Sequence, residues 1–484
     1  MERKYESVLG ELASRSINFF ISKSSKAKVL DVEDSLQRVL LRAQVIIDEA
    51  TGRHITSQAV LQQLDMLRDA MYHGCYILDT FRCQSHDEHD ANDQVVSHSF
   101  ALSKVNSLKG FCSSSRNTHI LEQLQDALDN LSYMILDVKE LVVFLTSYPR
   151  LYRQPYSMHL LLHNCMFGRQ MEAELVLNFL LQARPHGAEE LEVLPIVGPG
   201  RVGKSTLVAN VCKDERVRDQ FSEILFLSDH DFRDEKLMHL WEGCAKKFQN
   251  CTAIKDVRVL VVVEVAGDFN EGEWKRLYSS SKQFLTSGSK IIITSRSKKI
   301  TKVGTRSALM LKYLSDEAYW YFFKTLAFGS TDPMMHPRMA CLAMEIARVL
   351  QRPFITGTIT AGLMRDNFDT HFWCKLLAFL RGFVKWHVSR FGEDPSNCLN
   401  QNKPAHLRRM IRTSEAIMVY GWYECRSQEE VPKMRLQNLM YGRAKPSGRF
   451  ETLAWSSPIP SYYSYIFACE IEDLKNTAVK RKRS

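Results

Sequence analysis

The 484-residue sequence predicts a three-layer α/β domain built on a parallel sheet, preceded by a helical bundle and followed by a C-terminal helical region. Three observations lead to this fold class. Short runs rich in Val, Ile and Leu alternate with helical patterns over residues 160–310. Apolar residues recur at steps of three and four before residue 150. A glycine-rich loop follows the first apolar run.

Residues 1–150 are predicted to form a helical bundle. Three segments carry an apolar stripe at helical spacing, and each stripe needs a partner surface to bury it. The polar segment CQSHDEHDANDQ between the second and third helices shows no periodicity, which predicts a loop. Pro149 and Pro155 mark a linker after the bundle. The three stripes contain Leu36, Val39, Leu40, Ala43 and Ile47; Leu61, Leu64, Leu67, Met71, Cys75 and Leu78; and Leu121, Leu124, Leu128, Leu131, Met134 and Ile135.

Residues 160–310 are predicted to form the α/β domain. Four runs, LEVLPIV, EILFLSD, VRVLVVVEV and SKIIITSR, are almost continuously apolar, as strands are when both faces of a parallel sheet are covered. Helices are predicted between them, near 204–213, 235–248 and 272–286. Residues 311–380 return to helical patterns. No fold is predicted for 381–484, although MRLQNLMYG and FETLAWSS are candidate strands.

The segment GPGRVGKS, Gly198–Ser205, matches the phosphate-binding pattern G-x-x-x-x-G-K-[ST] between a predicted strand and a predicted helix. Backbone N–H groups can surround a phosphate only where side chains do not intrude, which explains Gly198, Gly200 and Gly203. Lys204 would neutralise the β- and γ-phosphates, and the Ser205 hydroxyl would bind Mg²⁺. The predicted class is therefore a P-loop NTPase, with a nucleotide site that also includes Val202 and Thr206.

Two further side chains are candidates at the ends of later strands. Glu264 is the acidic residue within VRVLVVVEV, at the place where a P-loop enzyme holds its second Mg²⁺ ligand. The alternative is a strand-end glutamate that faces solvent. Arg296 ends the next strand, at the sheet edge where ligands bind in open α/β folds. It would contact a γ-phosphate or pair with a surface carboxylate.

Composition excludes several other classes. No run reaches the ~18 apolar residues of a membrane helix, and the first residues lack the apolar core of a signal peptide. Twelve cysteines without a C-x-x-C pair indicate reduced thiols, as expected in the cytoplasm. The net charge of +9 is mild for this length and predicts no specific nucleic-acid partner. The basic segment Lys480–Arg483 is either a nuclear localisation signal or a solvated terminus.

The segments GRQMEAELVLNFLL, VLVVVEVAGDFNEGEW and GSKIIITSRSKKI, together with the phosphate loop, resemble the NB-ARC module of plant disease-resistance proteins. The likeness covers residues 165–365, and LRDAMYHGCYILDTF resembles the coiled-coil domain of the same family. The nearest resemblance is to a grass group without leucine-rich repeats. It implies nucleotide contacts at Gly168, Arg169, Arg296 and Pro353, and a Mg²⁺ contact at Glu264.

The resemblance implies a defence switch that rests with ADP bound and is active with ATP, that uses Mg²⁺, and that meets a protein partner or itself through the N-terminal domain. The family's second strand acid falls on Val265, which cannot orient or deprotonate water, so hydrolysis is expected to be weak or absent. No Met-His-Asp motif or winged-helix pattern is visible. An active P-loop ATPase and an interaction scaffold that does not use nucleotide remain as alternatives.

Overall fold

The computed structural model describes two compact units, the first formed by Met1–Gln154 with Asp332–Cys341 and the second by Pro155–Thr331 with Leu342–Ser484. The structure describes residues 30–93, 113–138, parts of 143–149, 166–182, 191–228, 258–265, 269–350, 354–400 and 403–474, with gaps at 287, 412–413, 426–429, 441–443, 445 and 458–462.

The first unit contains helices over 30–51, Gln58–Asp93 and Ser113–Asp137. The predicted stripes form its core, since Leu36, Leu67 and Leu131 are fully buried. The helical prediction for this region is confirmed. The loop predicted over CQSHDEHDANDQ is wrong, because the second helix continues to Asp93. Polar residues cost a helix less than about 0.7 kcal/mol each, and the helical part of this segment contains neither Gly nor Pro to end it.

The second unit begins with a parallel five-stranded sheet in the order β2-β3-β4-β1-β5, which confirms the predicted fold class. Four helices of this region lie within the described residues, while the predicted helix 235–248 lies outside them. The helices are Gln170–Leu181, Lys204–Val211, Glu215–Gln220 and Glu271–Phe284. The strands are β1 (Glu192–Val197), β2 (Glu223–Ser228), β3 (Val259–Val265), β4 (Lys290–Ser295) and β5 (Leu309–Met310).

Each face of the parallel sheet packs into its own apolar cluster. Leu260 and Val262 of β3 pack with Val202 and Leu207, on the side of the phosphate loop. The residues between and after them pack with Trp274 on the other side. Successive side chains of a strand point to opposite faces. The neighbouring positions 264 and 265 at the end of β3 therefore face different layers of the domain.

Helices continue after the sheet, followed by a second sheet that the sequence did not predict as a whole. The helix Thr370–Phe391 runs through residue 380, where the sequence predicted a domain boundary. The other helices are Asp316–Phe328, Pro337–Val349, Phe354–Asp366 and Pro395–Asn400. None of the helices that the structure describes has both the length and the apolarity needed to cross a bilayer.

The C-terminal sheet is antiparallel, with the strand order β6-β7-β9-β8. FETLAWSS forms β8, as predicted, but MRLQNLMYG does not form a strand and instead contains the helix Leu436–Met440. Met, Leu and Gln favour helices, and the segment has no β-branched residue. The strands are β6 (Ala405–Arg408), β7 (Glu415–Cys425), β8 (Arg449–Ser456) and β9 (Ser464–Asp473).

Candidate nucleotide-binding site

The glycine-rich loop leaves β1 and enters the helix Lys204–Val211, as the sequence predicted. Gly203 has a φ of 97°, a left-handed conformation that disfavours other residues, and it directly precedes the helix. Gly198 is required for space, since a Cβ there would lie 2.7 Å from the backbone oxygen of Leu311. The loop therefore places a helix N-terminus, with its unpaired N–H groups, at the C-terminal edge of the sheet.

Lys204 folds back over this loop. Its ammonium group donates hydrogen bonds to the carbonyl oxygens of Gly198 at 2.8 Å and Pro199 at 2.9 Å. Burial, together with nearby Arg296, lowers the pKa of Lys204 to about 8, although Glu264 opposes the shift. An anionic group at the loop would favour the charged form of this lysine.

Ser205 and Glu264 come together as predicted for a cation site. The Ser205 hydroxyl donates to a Glu264 carboxylate oxygen at 2.5 Å. A hydroxyl and a carboxylate are the hard oxygen ligands that Mg²⁺ prefers, so this donor set fits the ion. Val265 is buried in the cluster with Trp274, on the opposite face of β3. That position carries no group that could orient water.

A cavity of about 450 Å³ opens over the loop, within the size range of small-molecule sites. Five arginine or lysine residues and two glutamates line it, so the cavity favours an anionic ligand. The cations are Lys204, Arg201, Arg296, Arg365 and Arg435, and the glutamates are Glu264 and Glu424. Arg296 lies over the loop, where a Cβ on Gly200 would come within 3.3 Å of its guanidinium group. Arg296 therefore lies at the loop, and its contact with a phosphate stays a prediction.

Part of the cavity lining is apolar and aromatic. Phe167 and Phe322 have ring centres 5.4 Å apart, and Phe322 meets Phe354 edge-on at 5.2 Å. All three line the cavity with Ile355. Flat aromatic and aliphatic surfaces of this kind suit a purine base, whose planar ring can stack against them and leave water. The cavity lining thus combines cationic and aromatic groups, as a nucleotide requires.

The remaining predicted site residues lie around the cavity or away from it. Arg169 is buried and donates to Glu172 and to the Lys312 carbonyl, and neither it nor Gly168 is among the described lining residues. Gly168 has a φ of 63°, and this places Met166 and Phe167 at the cavity instead. Val202 is fully buried in the core below the loop. Pro353 lies outside the described residues.

The C-terminal sheet supplies lining residues that the sequence did not indicate. Trp422, Glu424, Tyr463 and Tyr465 reach the cavity from this sheet and the turn before its last strand. The Thr206 hydroxyl is 2.6 Å from the hydroxyl of Tyr463. The only sequence signal was the dense aromatic segment SYYSYIF, which by itself does not specify a ligand.

Comparison with known proteins identifies two domain families in the chain. Residues 170–333 match the NB-ARC domain model, and residues 6–117 match the Rx N-terminal domain model. The chain is 28% identical over 200 residues to disease resistance protein RGA2 of Solanum bulbocastanum, covering 38% of this chain and 20% of that protein. It is 23% identical over 412 residues to a putative disease resistance RPP13-like protein 1 of Arabidopsis thaliana, covering 78% and 37%.

The fold and the loop define a P-loop nucleotide-binding protein of the NB-ARC type. The chain contains an NB-ARC domain and an Rx N-terminal domain and is similar to plant disease-resistance proteins, which confirms the resemblance of its motifs. The chain spans only 20% and 37% of the two relatives' lengths. The likeness to a group without leucine-rich repeats stays a prediction.

Proposed function

We propose that this protein is an ADP- and ATP-binding switch in plant defence signalling, with weak or absent hydrolysis. One observation carries the proposal: a complete phosphate loop opens into a cavity lined by both cationic and aromatic side chains. The names of the disease-resistance relatives support the defence role. The buried Lys204 and the Ser205–Glu264 pair would hold the phosphates and Mg²⁺.

The weak turnover follows from the end of β3. Glu264 faces the loop and fits a metal-binding role, whereas Val265, which also lines the cavity, has an alkyl side chain that cannot take a proton. Bound Mg²⁺ would supply charge to the phosphates, and the loop would supply orientation. Neither would activate a water molecule. A switch that depends on which nucleotide is bound needs affinity and a conformational response, but not rapid chemistry.

The test is calorimetric titration of the full chain with ADP and with ATP plus Mg²⁺. Lys204→Ala should weaken binding by about 2–5 kcal/mol, because it removes a buried cation from the phosphate end. Lys298→Ala, at an exposed position just beyond Arg296, is the matched control and should bind as the wild type does. Equal affinity in Lys204→Ala and wild type would refute the nucleotide site.

The hydrolysis part needs its own measurement. Phosphate release under saturating ATP and Mg²⁺ should stay near background in the wild-type protein. Turnover within the ordinary enzymatic range of about 1–1000 s⁻¹ would instead support the ATPase alternative. Absence of both binding and turnover would support the scaffold alternative.

The N-terminal unit is proposed to act as a protein-interaction module, as the Rx N-terminal domain suggests. Leu41 and Val45, one helical turn apart, are 62% and 68% exposed on the outer face of the first helix. Replacing both with Ser should reduce self-association or partner binding of the full chain at micromolar concentration, measured by sedimentation. The proposed location is the cytoplasm, and the candidate nuclear signal Lys480–Arg483 lies outside the described residues.

A further inference from the structure

Two side chains of the phosphate loop are held by the C-terminal sheet. The Thr206 hydroxyl lies 2.6 Å from the hydroxyl of Tyr463, which is 257 residues further along the chain, and both residues are buried. The Arg201 guanidinium lies over the indole of Trp422, 5.3 Å from the ring centre. Arg201 has a φ of 59°, so its backbone is in a conformation that a non-glycine residue adopts only when its surroundings impose it.

The aromatic residues on the sheet side form a packed wall. Tyr465 meets Trp422 edge-on at 5.2 Å and Tyr463 edge-on at 5.4 Å. Burial raises the pKa of Tyr463 to about 12, so its hydroxyl keeps its proton. Such interlocked rings have few alternative rotamers, and they fix the two groups that touch the loop.

The electrostatics of this contact indicate an anionic ligand. Burial lowers the pKa of Arg201, and the neighbouring Arg296 lowers it further, while the Tyr465 and Tyr313 hydroxyls act in the opposite direction. Arg201, Arg296 and Lys204 all line the cavity over the same loop. A polyphosphate bound there would relieve the repulsion among the three cations. The Trp422 ring therefore helps to hold the Arg201 guanidinium close to two other cations, at a place where a bound anion would stabilise all three.

We propose, as an extension of the nucleotide-binding function, that the C-terminal antiparallel sheet is one wall of the nucleotide site. Tyr463 and Trp422 are positioning residues that keep Thr206 and Arg201 in the conformation that receives the phosphates. Because coupling between two binding events is reciprocal, bound nucleotide also stabilises the docked sheet. Nucleotide binding would then change the stability of the C-terminal sheet directly, through its contacts with the phosphate loop.

The first test compares ADP affinities of full-length variants by calorimetry. Tyr463→Phe removes one buried hydroxyl and should weaken ADP binding by about 2–10-fold. The matched control is Tyr423→Phe, whose hydroxyl bonds Glu451 on the exposed part of the same sheet, and its affinity should not change. Equal affinities in both tyrosine variants and wild type would overturn the assignment of Tyr463.

Trp422 provides a second variant pair that separates positioning from stability. Trp422→Ala should weaken ADP binding by about 2–30-fold, because the aromatic face under Arg201 is lost. Trp422→Phe keeps an aromatic face and should restore most of the affinity. Both variants lose the indole hydrogen bond to the Leu399 carbonyl, so a merely structural effect would lower the melting temperature and affinity in both. That result would contradict the positioning role.

Hydrogen exchange of the full chain tests the reciprocal effect. ADP should slow amide exchange in β8 and β9 of the wild type, and less so in Tyr463→Phe. If the wild type binds ADP but exchange in the sheet and affinity in the variants are unchanged, the wall proposal fails while nucleotide binding stands. If the wild type binds neither ADP nor ATP, the underlying function fails as well.

Discussion

The parallel sheet and the C-terminal antiparallel sheet belong to the same compact unit, but their strands are buried differently. β1 and β4 are buried at every position, because apolar clusters cover both faces of the sheet. Along β7, Ile417 and Val419 are fully buried, whereas Met418 between them is half-buried. The first sheet is a rigid base that places the loop, and the second uses its less buried positions for contacts with that loop.

The largest loss of stability is expected from a substitution at the start of β1, the end of that strand away from the phosphate loop. The Glu192 carboxylate lies 3.3 Å from the Lys290 ammonium and 2.7 Å from the Arg306 guanidinium, and Lys290 is almost fully buried. Glu192→Gln should lower the free energy of unfolding by about 3–5 kcal/mol, because it leaves the buried Lys290 without its counter-ion.

Denaturant unfolding measures this loss, with Glu430→Gln, at an exposed turn before the helix Leu436–Met440, as the control. ADP affinity should be retained in Glu192→Gln, since the ion group lies at the far end of β1. A loss below ~1 kcal/mol would mean that Phe179 and Gln182, whose carbonyls also accept from Lys290, satisfy it without the carboxylate.

The next effect compares one substitution in the two cores. Ile292 of β4 and Ile417 of β7 are both fully buried, in separate apolar clusters. Each Ile→Ala change should cost about 2–5 kcal/mol and should lower the same thermal transition, because both clusters belong to one compact unit. Calorimetry showing that Ile417→Ala shifts only a separate, earlier transition would make the C-terminal sheet an independent folding unit.

A smaller difference in stability is expected between Gly→Ala substitutions at the parallel sheet and at the C-terminal antiparallel sheet. A Cβ on Gly304 would lie 2.4 Å from the Cγ atom of Pro195 in β1, whereas a Cβ on Gly421 in β7 meets nothing within 4 Å. Gly304→Ala should destabilise the protein by about 1–3 kcal/mol, through overpacking. Gly421→Ala should be neutral or slightly stabilising, because it restricts only the unfolded chain. Equal melting temperatures for the two variants would contradict the difference in packing.

The smallest effect is a pH response of the C-terminal sheet. Burial lowers the pKa of His406, with Glu472 opposing the shift and His387 and Arg390 adding to it. The folded protein therefore binds fewer protons than the unfolded chain. The contribution of His406 to stability should be constant above about pH 6.5 and should fall below it, by less than ~1.4 kcal/mol per pH unit.

Unfolding free energies at pH 7.5, 6.5 and 5.5 check this, and His406→Gln should flatten the slope. In the parallel sheet, the contribution of Glu192 to stability changes at lower pH. Burial raises the pKa of Glu192, but Arg306 and Lys290 together hold it below its ordinary value, so its contribution is lost only as the solution becomes more acidic than about pH 4.5. A slope that is unchanged in His406→Gln would assign the response to another group.

The sequence alone determined the parallel sheet and the phosphate loop. Strands buried on both faces require continuous apolar residues, so each of β1, β3 and β4 is visible as a local run. The loop is equally local, because adjacent backbone N–H groups must surround one phosphate, which constrains the successive residues Gly198–Thr206. Ser205 and Glu264 could be paired in advance, since both follow from the edge where parallel strands end.

Only the tertiary structure decided what faces that loop. Cavity-lining residues such as Phe167, Phe354, Trp422 and Tyr463 share no sequence motif, and the chain brings them together from segments more than 250 residues apart. The C-terminal strands alternate in burial, and β7 pairs with the distant β9 rather than with β8, so their pattern in the sequence is weak. Local physics defined the phosphate-binding half of the site, and long-range packing, which no short segment encodes, defined the other half.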